Sequence, residues 1–290
     1  MEGIQAGAGG TLFTDWNDHG AYAQPGPGYY LYAYAAAVSW GGLDPGRDYV
    51  GGFADKTLSM PGYAAAVLQL AEIYQLPPIW SKNRSECVMA LFDEPIFGNA
   101  VRGPEPPSGL KAYDLSLPEG IAPVLERHSQ HPLRPYFAIP ECVCVEIGQI
   151  LDSAQPLVSN LKSGDVKNQL RYIIDAFSVM LDKLALSRKV LSAFDSGTVD
   201  IPVLIGLEDE LRVMIRRYVH LQIAYISIWT AVAKVSELEI SITYFAHIIE
   251  RLDYLRNWLS LNRERIGRGE TPDLSFETYE TAGYGTLPTY

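Results

Sequence analysis

The chain has 290 residues, 48% of them hydrophobic, and a net charge of −11, so it can bury a large core as one large domain or two ordinary ones. No segment clusters Lys and Arg, and this acidic balance argues against nucleic acid or a membrane surface as a partner. The N-terminus has no basic start followed by an apolar stretch, and no apolar run reaches the roughly 20 residues that cross a bilayer, so we expect a cytoplasmic protein.

The first predicted element is a short strand at residues 11–14, "TLFT", which is apolar on both faces. A loop rich in Pro and Gly follows, and then the apolar segment "YYLYAYAAAVSW", which predicts a buried helix that ends at Gly41. A buried strand, a polar loop and an apolar helix are typical of a parallel α/β sheet or a β/α barrel. In such folds, ligands bind at the C-terminal ends of the strands.

Polar chemistry is concentrated directly after this strand, where Asp15, Trp16, Asp18 and His19 stand close together. An indole beside carboxylates suits a sugar, because the apolar face of the sugar stacks on the aromatic ring and a carboxylate accepts hydrogen bonds from two adjacent hydroxyls. Alternatively, Trp16 covers the core while Asp15 and Asp18 cap backbone amides in the turn. Composition alone favours this second interpretation.

Three shorter helical pieces, separated by prolines, are predicted next. They cover residues 62–76, 83–92 and 116–130. The second opens on Asn83 and Glu86, and the third on Ser116 and Glu119, both spaced as N-terminal caps.

The three cysteines are an odd count, and Cys142 and Cys144 are too close in sequence for an easy bridge. A lone C-x-C without a second pair of ligands is weak support for zinc. We therefore expect buried thiols on a helix, and neither a metal nor another cofactor.

Four long helices with regular apolar stripes make up the rest of the chain. The stripes step by three and four residues: Val143, Ile147, Ile150, Ala154, Leu157, Leu161; Val166, Leu170, Ile173, Phe177, Met180, Leu184; Leu207, Leu211, Met214, Tyr218, Leu221, Tyr225, Ile228, Val232, Val235; and Leu238, Ile242, Phe245, Ile249, Leu252. Such spacing puts each set on one helix face, and short connections favour an antiparallel bundle. The charged residues between the stripes are predicted to form a solvated face, and the histidines to lie at the core edge or surface: Glu208, Glu210, Arg216, Arg217, His220, His247.

Two segments resemble one enzyme family. Residues 10–40, "GTLFTDWNDHGAYAQPGPGYYLYAYAAAVSW", resemble the last strand and helix of the family-20 glycoside hydrolases, the β-N-acetylhexosaminidases, in which T-D-W-G-D-x-G-H-x-Q-P precedes an Ala-rich helix that ends in Trp. Residues 254–275, "YLRNWLSLNRERIGRGETPDLS", resemble the W-L-x-R-N-R-x-G-G-L-x-x-S pattern near the C-terminus of the same proteins. The resemblance spans almost the whole chain, with general helical similarity between the motifs.

The resemblance implies roles for three residues. Trp16 corresponds to the Trp that lines the −1 subsite and contacts the sugar. Asp18 corresponds to the carboxylate that hydrogen-bonds to the 4- and 6-hydroxyls of the sugar. Asp15 corresponds to an Asp with a supporting role. The sequence departs from the pattern at Asn17, where Gly is usual, and at Ala21, where His is usual.

The catalytic pair of the family is absent from this sequence. These retaining enzymes use substrate assistance, in which a Glu donates a proton and the preceding Asp orients the 2-acetamido group, both within an H-x-G-G-D-E motif. The chain has no such motif, and its nearest match, Asp209 and Glu210, is predicted to be surface charge on a long helix. No catalytic residue is therefore assigned.

The predicted fold is mainly α. Residues 1–60 would form the last strand-helix unit of a (β/α)8 barrel and residues 61–290 a C-terminal antiparallel helical bundle. We expect the C-terminal part of a β-N-acetylhexosaminidase-like hydrolase, inactive alone, that binds an N-acetylhexosamine glycan once a barrel is completed by a partner chain. The alternatives are a non-catalytic helical module that forms homodimers, and a sugar-binding remnant that uses Trp16 and Asp18.

Overall fold

The computed structural model of the protein is mainly helical. It describes residues 6–7, 9–10, 12, 26–41, 46, 48–76, 80–81, 84–92, 126–127, 136–137, 139, 141–195, 199–236 and 238–273. Within these ranges, no helix combines the length and the apolar character needed to cross a membrane.

The described elements follow one another as helices with short connecting pieces. The α-helices are α1 (Tyr29–Gly41), α2 (Asp48–Phe53), α3 (Tyr63–Ala71), α4 (Glu86–Phe92), α5 (Glu141–Ser159), α6 (Asp165–Asp195), α7 (Ile201–Val232) and α8 (Leu238–Gly267). Single turns of 3-10 helix lie at Gly26–Gly28 and Glu72–Gln75, and a π-helical turn at Ala54–Leu58. Two antiparallel pairs of two-residue strands join β1 (Trp80–Ser81) to β2 (Arg84–Ser85) and β3 (Glu126–Arg127) to β4 (Tyr136–Phe137).

Helices α5 to α8 form the predicted antiparallel bundle, and α3 and α4 pack on it. Between α6 and α7, Lys189 Nζ lies 2.7 Å from Glu210 Oε2, and Asp182 pairs with Arg217. Residue numbers rise along α6 while those of the partners on α7 fall, so the two helices run in opposite directions. The helices α6, α7 and α8 contain 31, 32 and 30 residues, which makes each about 45 Å long.

The predicted stripes lie in the core of this bundle. On α7, every predicted position from Leu207 to Ile228 is buried. Val232 and Val235 are 38% and 67% exposed, because α7 ends at Val232 and the chain turns away from the core there. On α5, α6 and α8 the predicted positions are either buried or half-buried against the core, the half-buried ones being Ile150, Leu157, Val166, Ile173, Ile242 and Ile249. The stripes therefore face the core as predicted, except at the exposed end of the α7 stripe.

The ends of α7 and α8 follow the usual preferences of helix termini. Asp200 has extended backbone before α7, and Pro202 lies in the first turn, where its fixed φ fits and its missing N–H is not needed. Glu239 lies in the first turn of α8 and Arg265 in its last. Both charges oppose the partial charge of the helix end and stabilise it.

The shorter predicted helices are confirmed in part. The first is present as α3 and the 3-10 turn after it. The second, α4, begins only at Glu86, because Arg84–Ser85 belongs to a strand. Asn83, the predicted cap, lies outside the described residues. Of the third, the structure describes Glu126–Arg127, and that pair lies in β3, not in a helix.

The cysteines differ in burial. Cys87 is buried on α4, as expected, whereas Cys144 is half-buried and Cys142 is exposed, both on α5. The prediction of a buried thiol is therefore confirmed for Cys87 and wrong for Cys142. The apolar stripe of α5 begins at Val143, and Cys142 stands beside that stripe on the solvent side.

The apolar segment after the Pro/Gly loop forms the predicted helix, α1, which ends at Gly41. The predicted burial is wrong, because in the described structure no residue of α1 is buried. Leu12, in the middle of the predicted strand, has no regular secondary structure and is 88% exposed. The other residues of that predicted strand, 11, 13 and 14, lie outside the described residues.

Glu208 on α7 departs from the predicted solvated face. Its side chain is only 6% exposed, and its Oε1 accepts a 2.7 Å hydrogen bond from Nε of Arg263 on α8. A buried carboxylate needs such a partner, since its desolvation is costly. The pair joins the start of α7 to the end of α8, so these two helices are also antiparallel.

Candidate functional site

The sugar-binding residues predicted from the sequence, Asp15, Trp16 and Asp18, lie outside the described residues, as does His19. The structure therefore does not test whether these side chains lie close together. Gly26, directly after the Gln24 and Pro25 that end the first family-like motif, is the first described residue after the predicted site.

Gly26 is held by side chains from two helices of the bundle region. Its backbone N–H donates a 2.7 Å hydrogen bond to Oε1 of Gln169 on α6. Its carbonyl accepts a 3.0 Å hydrogen bond from the hydroxyl of Tyr63 on α3. Both side chains are buried, so both backbone groups of Gly26 are satisfied away from water, as buried backbone groups require. We call this arrangement the Gly26 clamp.

The clamp depends on a glycine and on a protonated tyrosine. A Cβ atom at residue 26 would overlap Oε1 of Gln169, so a larger residue would displace the glutamine. Burial is the main cause that raises the pKa of Tyr63, and the neighbouring Tyr30 raises it further. The Tyr63 hydroxyl therefore remains a donor through the neutral and mildly alkaline range.

Helix α1, which the clamp precedes, presents an apolar surface to solvent. It carries no charged residue in its sequence, "YYLYAYAAAVSWG". Leu31 is 47% and Trp40 93% exposed. Exposed large apolar side chains on a helix without charge are typical of a surface on which another molecule or another part of a structure packs.

A buried polar cluster lies where the end of α4 meets α6, α7 and α8. The carbonyl of Leu91, in the last turn of α4, accepts hydrogen bonds from Nζ of Lys183, at 3.4 Å, and from the hydroxyl of Tyr218. Lys183 is 2% and Arg251 4% exposed. The half-buried His247 has a lowered pKa, first because of its burial and then because of the nearby Arg251.

The chemistry of this cluster is that of a helix end. The last carbonyls of α4 have no partner within the helix, and a buried cation with a buried hydroxyl satisfies one of them while opposing the negative end of the helix. Sequence reasoning missed Lys183. The signal was available, because Lys183 follows Met180 by three residues and so lies on the core side of α6.

A second buried group consists of aromatic rings and hydroxyls beside this cluster, since the ring of Phe245 lies 5.0 Å from that of Phe92 at the end of α4. The rings of Tyr172 and Tyr225 lie 5.7 Å apart, and that of Phe245 lies 5.4 Å from Tyr225. Within the described residues, the hydroxyl of Tyr172 is buried without a hydrogen-bond partner, whereas the Ser241 hydroxyl hydrogen-bonds to Tyr225 and opposes the rise in the pKa of that phenol. Burial raises the pKa of Tyr225 to about 12. These tyrosines are therefore neutral core residues at physiological pH.

Four residues of the second family-like motif have a structural role. Trp258 and Leu259 are buried in the core, and the Trp258 ring lies 5.1 Å from that of Phe194. The Asn262 side chain holds the segment that follows α8 through two hydrogen bonds to the backbone of Asp273. Its Oδ1 accepts a 2.6 Å hydrogen bond from the Asp273 N–H, and its Nδ2 donates a 3.0 Å hydrogen bond to the Asp273 carbonyl. The motif therefore fixes the packing and the exit of α8.

Asp209 and Glu210, the nearest match to the catalytic pair, are exposed as predicted. Asp209 pairs with Arg212 one turn along α7, and Glu210 pairs with Lys189 of α6. His220 is exposed and His247 half-buried, which also confirms the prediction for the histidines. In the part of the chain that the structure describes, no group of three His, Cys, Asp or Glu side chains is placed to hold a metal ion.

Comparison with known proteins found no family model, no curated protein and no solved structure that matches this chain.

Proposed function

We propose that this chain is the C-terminal part of a β-N-acetylhexosaminidase-like glycoside hydrolase, inactive alone, in which Trp16, Asp18 and Asp15 contribute to the sugar subsite of a barrel that a further segment or a partner chain completes. The observation that supports this proposal best is helix α1, which is apolar and has no fully buried residue. In a (β/α)8 barrel each helix covers its neighbouring strands with an apolar face. An apolar helix that is separated by ten residues from the T-D-W-N-D motif and lacks any fully buried residue in the described structure is what we expect of such a helix without its sheet.

The reaction proposed for the completed enzyme removes a terminal N-acetylhexosamine with retention of configuration. The 2-acetamido carbonyl attacks the anomeric carbon while an acid from the barrel protonates the leaving oxygen. In this scheme the chain's own residues bind and orient the sugar: the Trp16 indole stacks on its apolar face and the Asp18 carboxylate accepts hydrogen bonds from two hydroxyls. The acid and the orienting Asp come from elsewhere.

The first test is the genomic DNA on the 5′ side of the Met1 codon, read in all frames. A segment there that encodes barrel strands with an H-x-G-G-D-E motif supports the proposal. Unrelated DNA at that place contradicts a further segment of the same gene as the source of the barrel, and only a separately encoded partner chain could then complete it.

The second test is reconstitution of that barrel segment with this chain, assayed on a chromogenic N-acetyl-β-glucosaminide. We expect turnover by the pair and none by this chain alone. Asp18→Asn should lower kcat/KM by about 10- to 100-fold, as expected for loss of charged hydrogen bonds. Asp55→Asn, which changes an exposed aspartate outside the predicted site, should leave it unchanged. Equal activity of the two variants would contradict the role of Asp18.

A non-catalytic dimerisation module is the second candidate, and Trp40 favours it. This indole is 93% exposed at the end of an uncharged apolar helix, and Trp is enriched among the residues that dominate protein interfaces. Sedimentation equilibrium over a range of concentrations tests it. We expect a concentration-dependent dimer that Trp40→Ser weakens and that Leu261→Ser, a matched exposed residue on α8, does not. A chain that stays monomeric contradicts this candidate.

A further inference from the structure

The Gly26 clamp lies directly before helix α1. The 3-10 turn Gly26–Gly28 leads into α1 without a break. Gln169 of α6 binds the N–H of Gly26, and the hydroxyl of Tyr63 binds its carbonyl and lies 3.3 Å from the carbonyl oxygen of Pro27. Side chains of α6 and of α3, which packs on the bundle, therefore hold the turn from which α1 starts.

Helix α1 is attached to the core at the end that follows the clamp. Tyr30, in its first turn, packs against the buried core. At the opposite end, Trp40 is 93% exposed. The helix has 13 residues, so it is about 20 Å long, and a small rotation at its start moves its far end by a much larger distance. Helix α1 also packs on α2, which is the alternative attachment.

Gln169 is the part of the clamp that general packing explains least. It is a buried polar residue of α6, 1% exposed. Burying an amide costs free energy unless it is hydrogen-bonded, and its Oε1 bonds a backbone N–H that lies 143 residues away in sequence. An apolar side chain of the same size would fill the volume equally well but would leave the Gly26 N–H without this acceptor.

We infer that the Gly26 clamp fixes the direction in which α1 leaves the helical bundle, with Gln169 as the positioning residue. Gln169 holds the N–H and Tyr63 the carbonyl of the same residue, so the main chain is held in both position and orientation. The inference goes beyond the proposed function and does not depend on it, because it concerns the bundle and residues 26–41 alone. Both candidate functions use α1 as a contact surface, and under either one the clamp sets the orientation of that surface.

Two glycines of the same turn provide a matched pair of variants. A Cβ atom at residue 26 would overlap Oε1 of Gln169, whereas one at residue 28 would meet no atom within 4 Å. Gly26→Ala should therefore break the clamp and Gly28→Ala should not, although both remove the backbone freedom of a glycine. Gln169→Leu breaks the clamp from the other side, because it removes the acceptor and keeps the size.

The test is the distribution of distances between two spin labels on the full chain, measured by pulsed electron paramagnetic resonance. One label is attached through Trp40→Cys at the exposed end of α1, and the other through Leu261→Cys at an exposed position of α8. The exposed and half-buried natural thiols are removed by Cys142→Ser and Cys144→Ser. This labelled chain is the reference for all further variants.

We expect a single narrow maximum for the reference chain and for Gly28→Ala. Gly26→Ala and Gln169→Leu should lose this maximum to a broad distribution, while circular dichroism shows that the helices are retained. In Gln169→Leu the Gly26 amide should also exchange with solvent about tenfold faster, as expected for the loss of one buried hydrogen bond.

A merely structural role for Gln169 gives a different result. In that case Gln169→Leu lowers the midpoint of thermal unfolding but leaves the distribution narrow well below that midpoint, because α2 holds α1 in place. That outcome overturns the inference, and so does equal broadening in Gly26→Ala and Gly28→Ala. If breaking the clamp at Gln169 or Gly26 prevents folding, Tyr63→Phe replaces those variants, since it removes only the hydroxyl that binds the Gly26 carbonyl. It should broaden the distribution as well, and a narrow one overturns the inference.

Discussion

At the scale of single residues, the buried polar groups of the bundle fall into two kinds. Tyr218 has its hydroxyl bound to the Leu91 carbonyl, whereas the hydroxyl of Tyr172 is buried without a hydrogen-bond partner among the described residues. Burial raises the pKa of both phenols well above the ordinary value. They are thus chemically alike and differ in whether the hydroxyl is satisfied.

This difference predicts opposite effects of the same substitution. Tyr172→Phe removes an unsatisfied hydroxyl and should leave the free energy of unfolding unchanged or raise it by up to about 1 kcal/mol. Tyr218→Phe leaves the Leu91 carbonyl with one donor fewer and should lower it by about 1 kcal/mol. Urea unfolding followed by circular dichroism measures both. A loss from Tyr172→Phe as large as that from Tyr218→Phe would show that the Tyr172 hydroxyl does have a partner.

At the scale of elements, the sequence predicts the long helices well and the surroundings of individual side chains less well. The stripes on α5 to α8 repeat over many turns, so their period identifies both the helix and its buried face. Glu208 and Lys183 are single charged residues beside those stripes. Their burial depends on the partner that a neighbouring helix offers, Arg263 for Glu208 and the Leu91 carbonyl for Lys183. The spacing of Lys183 from Met180 places it on the core side of α6, but no local pattern identifies that partner.

The same limit explains the error at α1. Its composition predicts a helix and a buried one, and the helix forms with the expected C-terminal end at Gly41. A helix is buried only when the apolar surface of another element packs on it. The apolar character of "YYLYAYAAAVSW" indicates that such a surface is needed, but not which part of this chain or of another chain provides it. The predicted site at Asp15, Trp16 and Asp18 lies outside the described residues and stays a prediction.

The pairing of α7 with α8 makes a prediction about Arg263. Two arginines approach Glu208: Arg263 at 2.7 Å and Arg212, one turn along α7, at 3.9 Å. Arg263→Ala leaves a buried carboxylate with only the distant partner and should lower the free energy of unfolding by about 2 kcal/mol. Arg212→Ala removes an exposed and longer contact and should cost less than about 0.5 kcal/mol. Chemical unfolding compares them, and similar losses for both would refute the assignment of Arg263 as the main partner.

At the scale of the whole molecule, the polar cluster at the end of α4 joins four helices through few contacts. Lys183 comes from α6, Tyr218 from α7, and His247 and Arg251 from α8, while α4 supplies the Leu91 carbonyl. Adding a proton to His247 places a further positive charge beside two buried cations. The stability of the bundle should therefore respond to pH through this residue.

The direction of that response follows from the lowered pKa of His247, which burial causes first and Arg251 next, with Lys183 adding to it and Glu250 opposing it. Above about pH 6.5 the imidazole is neutral in both the folded and the unfolded chain and contributes no pH dependence. As the pH falls below about 6.5, the unfolded chain binds the proton more readily, so the folded state loses stability, by at most about 1.4 kcal/mol per pH unit. The loss stops once the pH is below the pKa of His247 in the folded chain.

His247→Gln should flatten the dependence of the unfolding free energy on pH between 7 and 5, whereas His220→Gln, at an exposed site on α7, should leave it as in the natural chain. Equal slopes for the natural chain and His247→Gln would mean that other groups, and not the cluster at the end of α4, govern the acid sensitivity of the bundle.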